Sequence, residues 1–326
     1  MKTLKPFSAV YLLNLKSFYL FLFISCLGTR ILTSIDYLED IDSMRFALSL
    51  FDYNISELRP HFPGYPIFCF FAKIIYSLIG SVQLTFSVIG GISTFIIIFY
   101  SNLIFEMIIK KRSLFLSALI FINPFLWNLG NRYMSDLLGL SFLIMSTYYL
   151  LSGFNLKQKE KLLFGILLIG FSTGIRISFL PFLLPLFLYI TYYSPKISFL
   201  NAIGVLTIGI LIWLIPLSVT TGLDKLISLS LRHISGHFFE WGGSVISSNS
   251  TYAFRLLKTF ESIWADGMGG FWLGRNKVTI IVSLGWILSF IFNYKLKSIL
   301  KEKSQLTLFL LSASIFFYFV WIFLFQ

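Results

Sequence analysis

Apolar runs long enough to cross a bilayer recur along the whole of this chain, and few charges interrupt them. A helix needs about 20 apolar residues to span about 30 Å of hydrocarbon. The chain offers about nine candidates, near residues 13–32, 83–106, 113–129, 136–154, 161–177, 178–193, 197–219, 278–294 and 305–325. Of its 326 residues 57% are hydrophobic and 12% are charged, and mean hydropathy is +0.84. Such a chain cannot hide its apolar surface in a water-soluble core. The expected fold is an all-α polytopic membrane protein, a single transmembrane domain over residues 1–326.

The net charge of +12 does not point to nucleic acid, because the 26 Lys and Arg residues fall in short clusters between apolar runs and form no single basic face. Cys26 and Cys69 have no metal-ligand spacing and read as small buried hydrophobes. The basic Met1–Lys5 stretch precedes a long apolar segment with no small-residue cleavage site, so that segment reads as a retained first span. The segment 66–82 is apolar but short, and Lys73 interrupts it. If it lies along the interface as a juxtamembrane helix, the basic clusters agree. Lys2/Lys5, Lys110–Arg112, Lys157/Lys159/Lys161, Lys196 and Lys295/Lys297/Lys301/Lys303 then all face the cytoplasm. Two long extracytoplasmic loops remain, 33–82 and 220–277. Connections this long in a compact protein are usually functional.

The first of these loops gathers Asp36, Glu39, Asp40 and Asp42 in a chain that is otherwise poor in acids. Four pieces then follow in order: Asp42-Ser-Met-Arg-Phe-Ala47, Arg59-Pro-His-Phe-Pro-Gly-Tyr-Pro66, Arg132-Tyr-Met-Ser-Asp136 and Gly174-Ile-Arg-Ile-Ser-Phe-Leu-Pro181. Their order and spacing, over about the first 190 residues, resemble the GT-C superfamily of multispanning glycosyltransferases. The likeness is to relatives of the protein mannosyltransferases and aminoarabinose transferases. It implies a polyprenyl-phosphate-linked sugar as donor, a glycan, lipid or protein acceptor, and a bacterial cytoplasmic membrane whose outer side carries the site. No soluble carboxy-terminal domain is expected, of the kind that often helps larger members bind the acceptor.

Such a transfer needs a base for the acceptor hydroxyl and cations for the departing phosphate. The resemblance assigns the base to Asp42, with Asp40 second and Asp36 third. Asp40 and Asp42 diverge on a helix and share a face on a strand, and capping or a solvated loop face is the plain alternative. Asp136 either caps an apolar helix or faces the first-loop carboxylate across a cleft. Two carboxylates in one cleft push their proton affinities apart. His61, in a proline-rich turn, suits a donor to sugar or phosphate, or a structural bond to a loop carbonyl. Arg176, Arg59, Arg132, Arg232 and Arg255 are candidates for phosphate, since a guanidinium fork matches its oxygens. Arg176 stands in an apolar stretch and needs a partner, either phosphate or a carboxylate such as Asp136. In the second loop, Arg232, His237 and Arg255 are read as part of a lid. His233 and His237 are four residues apart, but Gly236 between them and the missing third ligand speak against zinc, and no cofactor is expected. A lipid or solute transporter and a non-catalytic subunit of a glycan-assembly complex are the rival classes. A transporter would carry ionisable groups or broken helices near the bilayer midplane.

Overall fold

The computed structural model describes residues 9–111, 113–241, 250–293 and 302–325. The basic residues Lys2, Lys5, Arg112, Lys295, Lys297 and Lys301 lie outside them. The described chain is helical and contains no strand. Its helices are α1 (Ala9–Leu32), α2 (Ile41–Phe51), α3 (Pro66–Ile79), α4 (Val82–Ile109), α5 (Leu114–Ile122), α6 (Pro124–Asn131) and α7 (Asp136–Leu156). They continue with α8 (Lys159–Ser172), α9 (Leu180–Tyr193), α10 (Phe199–Thr221), α11 (Leu223–Ser235), α12 (Tyr252–Glu261), α13 (Thr279–Asn293) and α14 (Glu302–Phe325).

Each of the nine apolar segments coincides with a helix or a helix pair. Among the described residues, four helices are long and apolar enough to cross a membrane: α4, α7, α10 and the Ser304–Phe325 part of α14. The pair α5 and α6 makes a fifth if its halves, bent by 56°, are one span. The bend has a local cause. Asn123 accepts from the Leu126 amide at 3.0 Å, and Pro124, at the first position of α6, cannot continue the hydrogen bonding of α5. Cys26 and Cys69 are free and buried.

Helices in lipid associate through close packing of small residues, since apolar tails offer no hydrophobic drive between them. The central helix α4 shows this where Gly90 meets Gly130 of α6: a methyl group built on Gly90 falls 1.7 Å from the Gly130 carbonyl oxygen. That neighbour is backbone and cannot swing aside. Gly90→Ala is therefore expected to lower stability by about 1–3 kcal/mol through overpacking, read as a lower melting temperature in detergent micelles.

The stretch 33–82 is not an open loop. Asp40 caps α2 by accepting from the Ser43 amide at 2.7 Å. Phe46 and Leu50 of α2 then pack with Phe68 and Ala72 of α3 onto Phe86 of α4 and Leu138 of α7. The outward side of α3 stays apolar, with Phe70, Ile74 and Leu78 exposed. Turning into α3 requires left-handed backbone at Gly64 (φ 86°) and Tyr65 (φ 45°) ahead of Pro66. A side chain at Gly64 would also meet the Tyr53 hydroxyl at 2.7 Å.

Candidate active site

Three sets of contacts hold the candidate residues in place. The first joins the turn before α7 to the chain after α1. Asn131 Nδ2 donates to the Thr33 carbonyl at 2.7 Å, Arg132 pairs with Glu39 and Asp40, and the Tyr133 hydroxyl donates to the Ile35 carbonyl. Asp136, which opens α7, is thereby set beside the first loop. The second joins α3 to the turn between α8 and α9, where the Ile67 amide donates to the Gly174 carbonyl at 3.1 Å. A side chain at Gly174 would strike the Trp213 ring at 2.6 Å, so glycine is what permits this approach. Arg176 follows two residues later and lands beside Tyr65. The third lies across Gly139, where a methyl group would sit 2.9 Å from Arg176 Cβ.

The two first-loop acids separate as helix geometry requires. Asp40 is committed to the Ser43 amide and Arg132. Burial works against its charge, yet the Ser43 hydrogen bonds and Arg132 outweigh it and hold the carboxyl below the ordinary value. Asp42, in the first turn of α2, accepts from Arg45 Nη1 at 2.9 Å and lies 3.3 Å from His61 Nδ1. The other ring nitrogen of His61 is 3.0 Å from the Tyr65 hydroxyl.

Asp136 and Arg176 form the second charged pair, Oδ1 to Nη2 at 3.0 Å, with Arg176 Nη1 donating to Ser135 Oγ at 3.3 Å. Asp136 Oδ2 is buried and has no hydrogen-bond partner among the described residues. Asp42, Asp136 and Arg176 all act on one hydroxyl. Burial pushes Tyr65 up to about 12, Arg176 opposes that, and Asp136 and Asp42 add to it. Tyr318 of α14 lies within electrostatic reach of Asp136 and Arg176 and packs against Phe179 and Phe182.

The second long loop covers this cluster through histidine. His233 of α11 stacks on His61 with centroids 6.4 Å apart and planes 21° apart, and His237 stacks on His233 at 5.9 Å and 4°. These are the only three histidines in the chain. Leu226 of α11 is buried against Ile55 and Leu217 on the same side. Burial lowers the proton affinity of His61, helped by Arg45, His233 and Arg176 and opposed by Asp42; burial and His237 lower that of His233. The docked state therefore binds fewer protons than the undocked one. Docking is expected to be strongest above the ordinary histidine value of about 6.5 and to weaken as pH falls through the depressed values. Hydrogen exchange of α11 is the readout, with lower protection, relative to the intrinsic amide rate at each pH, at about pH 5 than at about pH 7.5. His233→Phe, which keeps a ring without a proton site, is expected to reduce that dependence, and the part that remains belongs to His61.

The remaining candidates have other neighbours. Arg59 pairs with Asp52 at 3.0 Å and Glu57 at 3.4 Å. Arg232 is exposed on α11, and Arg255 lies 5.4 Å over the Tyr252 ring and bonds Ser250. Arg45, Tyr65 and Tyr318, and the stacking of His233 on His61, emerge only from the structure. The i, i+3 spacing of Asp42 and Arg45 and the i, i+4 spacing of His233 and His237 were the signals in the sequence. Among the described residues, no three His, Cys, Asp or Glu side chains are grouped to hold a metal ion. Comparison with protein-family models, curated proteins and solved structures returns no match for this chain.

Proposed function

We propose that the protein is a GT-C-type glycosyltransferase that moves a sugar from a polyprenyl-phosphate donor to an acceptor hydroxyl. One observation carries this reading: two carboxylate–guanidinium pairs, Asp42–Arg45 and Asp136–Arg176, meet at His61 and Tyr65 over one end of a bundle of apolar helices. In the proposed reaction Asp42 takes the proton of the acceptor hydroxyl as its oxygen attacks the anomeric carbon. The bond from that carbon to the phosphate oxygen breaks, and its electron pair leaves with the phosphate. Displacement from the opposite face inverts the anomeric centre. Arg176 and Arg45 offer the guanidinium groups that the departing phosphate requires. The unpartnered oxygen of Asp136 offers an acceptor to a sugar or substrate hydroxyl and helps to orient it. An apolar groove of about 550 Å³ between α1 and α5 supplies surface of the kind an isoprenoid tail needs.

In this reading the nine apolar segments are nine spans, and α3 lies along the interface with Phe70, Ile74 and Leu78 toward lipid. The lysine clusters face the cytoplasm and the site faces outward. A transporter is the second reading, and the broken pair α5 and α6 favours it. At that break a buried cation, Arg30, lies 4.1 Å over the Trp127 ring, and its Nε and Nη2 have no hydrogen-bond partner among the described residues. Reconstitution in proteoliposomes with a polyprenyl-phosphate sugar separates the two. A new glycosidic linkage, identified by mass spectrometry, supports the enzyme; lipid or solute movement without bond formation supports the transporter.

A further inference from the structure

Helix α11 presents three different faces, and the one that neither packs nor carries charge has no partner among the described residues. Leu226, Leu229 and His233 turn inward, against Ile55, Phe62 and His61. Asp224, Lys225, Ser228 and Arg232 are exposed along a second sector. Leu223, Ile227, Leu231 and Ile234, spaced by three or four residues, fall within a third sector about 80° wide, and they are 61%, 49%, 63% and 49% exposed.

The chain leading into α11 indicates what covers that third sector. Helix α10 is apolar and long enough to span, and its Ile208, Leu211, Ile215 and Val219 are exposed. Only Gly222, at φ 85°, separates α10 from α11. An apolar surface that belongs in lipid along α10 thus continues past the turn onto Leu223 and along α11. A helix with one face on protein, one in water and one apolar fits a membrane boundary.

We infer that α11 is seated on the membrane surface, with Leu223, Ile227, Leu231 and Ile234 dipped into the boundary between headgroups and acyl chains and Lys225, Ser228 and Arg232 turned toward water. The bilayer then presses the roof, through His233, onto the cluster at His61. This inference is independent of whether the cluster transfers a sugar.

The test uses the full chain in nanodiscs of phosphatidylcholine and phosphatidylglycerol, labelled with an environment-sensitive fluorophore at Ile227→Cys, Ile234→Cys, Lys225→Cys or Ser228→Cys. Native Cys26 and Cys69 are buried and do not compete for label. Brominated lipid is expected to quench probes at 227 and 234 several-fold more than those at 225 and 228, and aqueous iodide to show the reverse order. Equal quenching at all four positions would overturn the inference, because the apolar sector would then lie no nearer to lipid than the charged one. Probes at 227 and 234 shielded from both quenchers would also overturn it, by showing that a second copy or another protein covers this face.

Discussion

Asp42→Asn is expected to abolish sugar transfer, with a loss of about 10²- to 10⁴-fold or more, while the protein remains folded. The substitution keeps size and hydrogen-bonding shape but removes the negative charge that accepts a proton from the attacking hydroxyl. The fold does not rest on that charge. Asp40 is the residue that caps α2, and Phe46 and Leu50 anchor the helix to the core. The Asp42–Arg45 pair is partly exposed, with side chains at 39% and 27%, and such pairs contribute about 0–1 kcal/mol. The checks are the melting temperature, expected to stay near that of the parent, and transfer measured with saturating donor. Undiminished transfer by the Asn variant would remove Asp42 from the reaction and shift the search to Asp136.

The parts legible in the sequence are those governed by local rules. Hydropathy alone located nine apolar segments that fall on helices, of which four, or five with the bent pair α5 and α6, are long and apolar enough to span among the described residues. Asp40 could be read as a cap because the capped amide is three residues away, and the same spacing marks Asp42 with Arg45. The site itself comes from contacts that no local rule encodes. Asp136 and Arg176 stand 40 positions apart and meet because Gly174 and Gly139 let backbone and side chains approach closely. His61 meets His233 across a turn and a helix separated by most of the chain between them. In sequence, the spacing of His233 and His237 suits one helix face, and Gly236 and the missing third ligand speak against a metal there. In the fold, the two rings lie in one stack with His61. Arg132 illustrates the converse. As a lone cation in a loop it was a phosphate candidate, whereas its contacts with Glu39 and Asp40 make it the clamp that sets Asp136 beside α2.

The pair Asp136–Arg176 tests whether charge at this site serves the fold or the reaction. Its side chains are only 23% and 24% exposed, so removing one partner strands the other in poor solvent. Arg176→Met is expected to cost about 2–3 kcal/mol, allowing for that partial exposure, since breaking a buried pair costs about 3–5 kcal/mol. It is also expected to reduce transfer by at least about 10²-fold, through loss of a guanidinium at the developing phosphate charge. The double variant Asp136→Leu with Arg176→Met removes both charges together, and well-packed apolar replacements of ion pairs are often neutral. Its melting temperature is therefore expected to recover most of the loss. Its activity is not, because neither the phosphate ligand nor the orienting carboxylate returns. Recovery of transfer along with stability in the double variant would assign the pair to helix packing alone. The phosphate would then need another cation, and Arg45, 2.9 Å from Asp42, is the nearest to the proposed base.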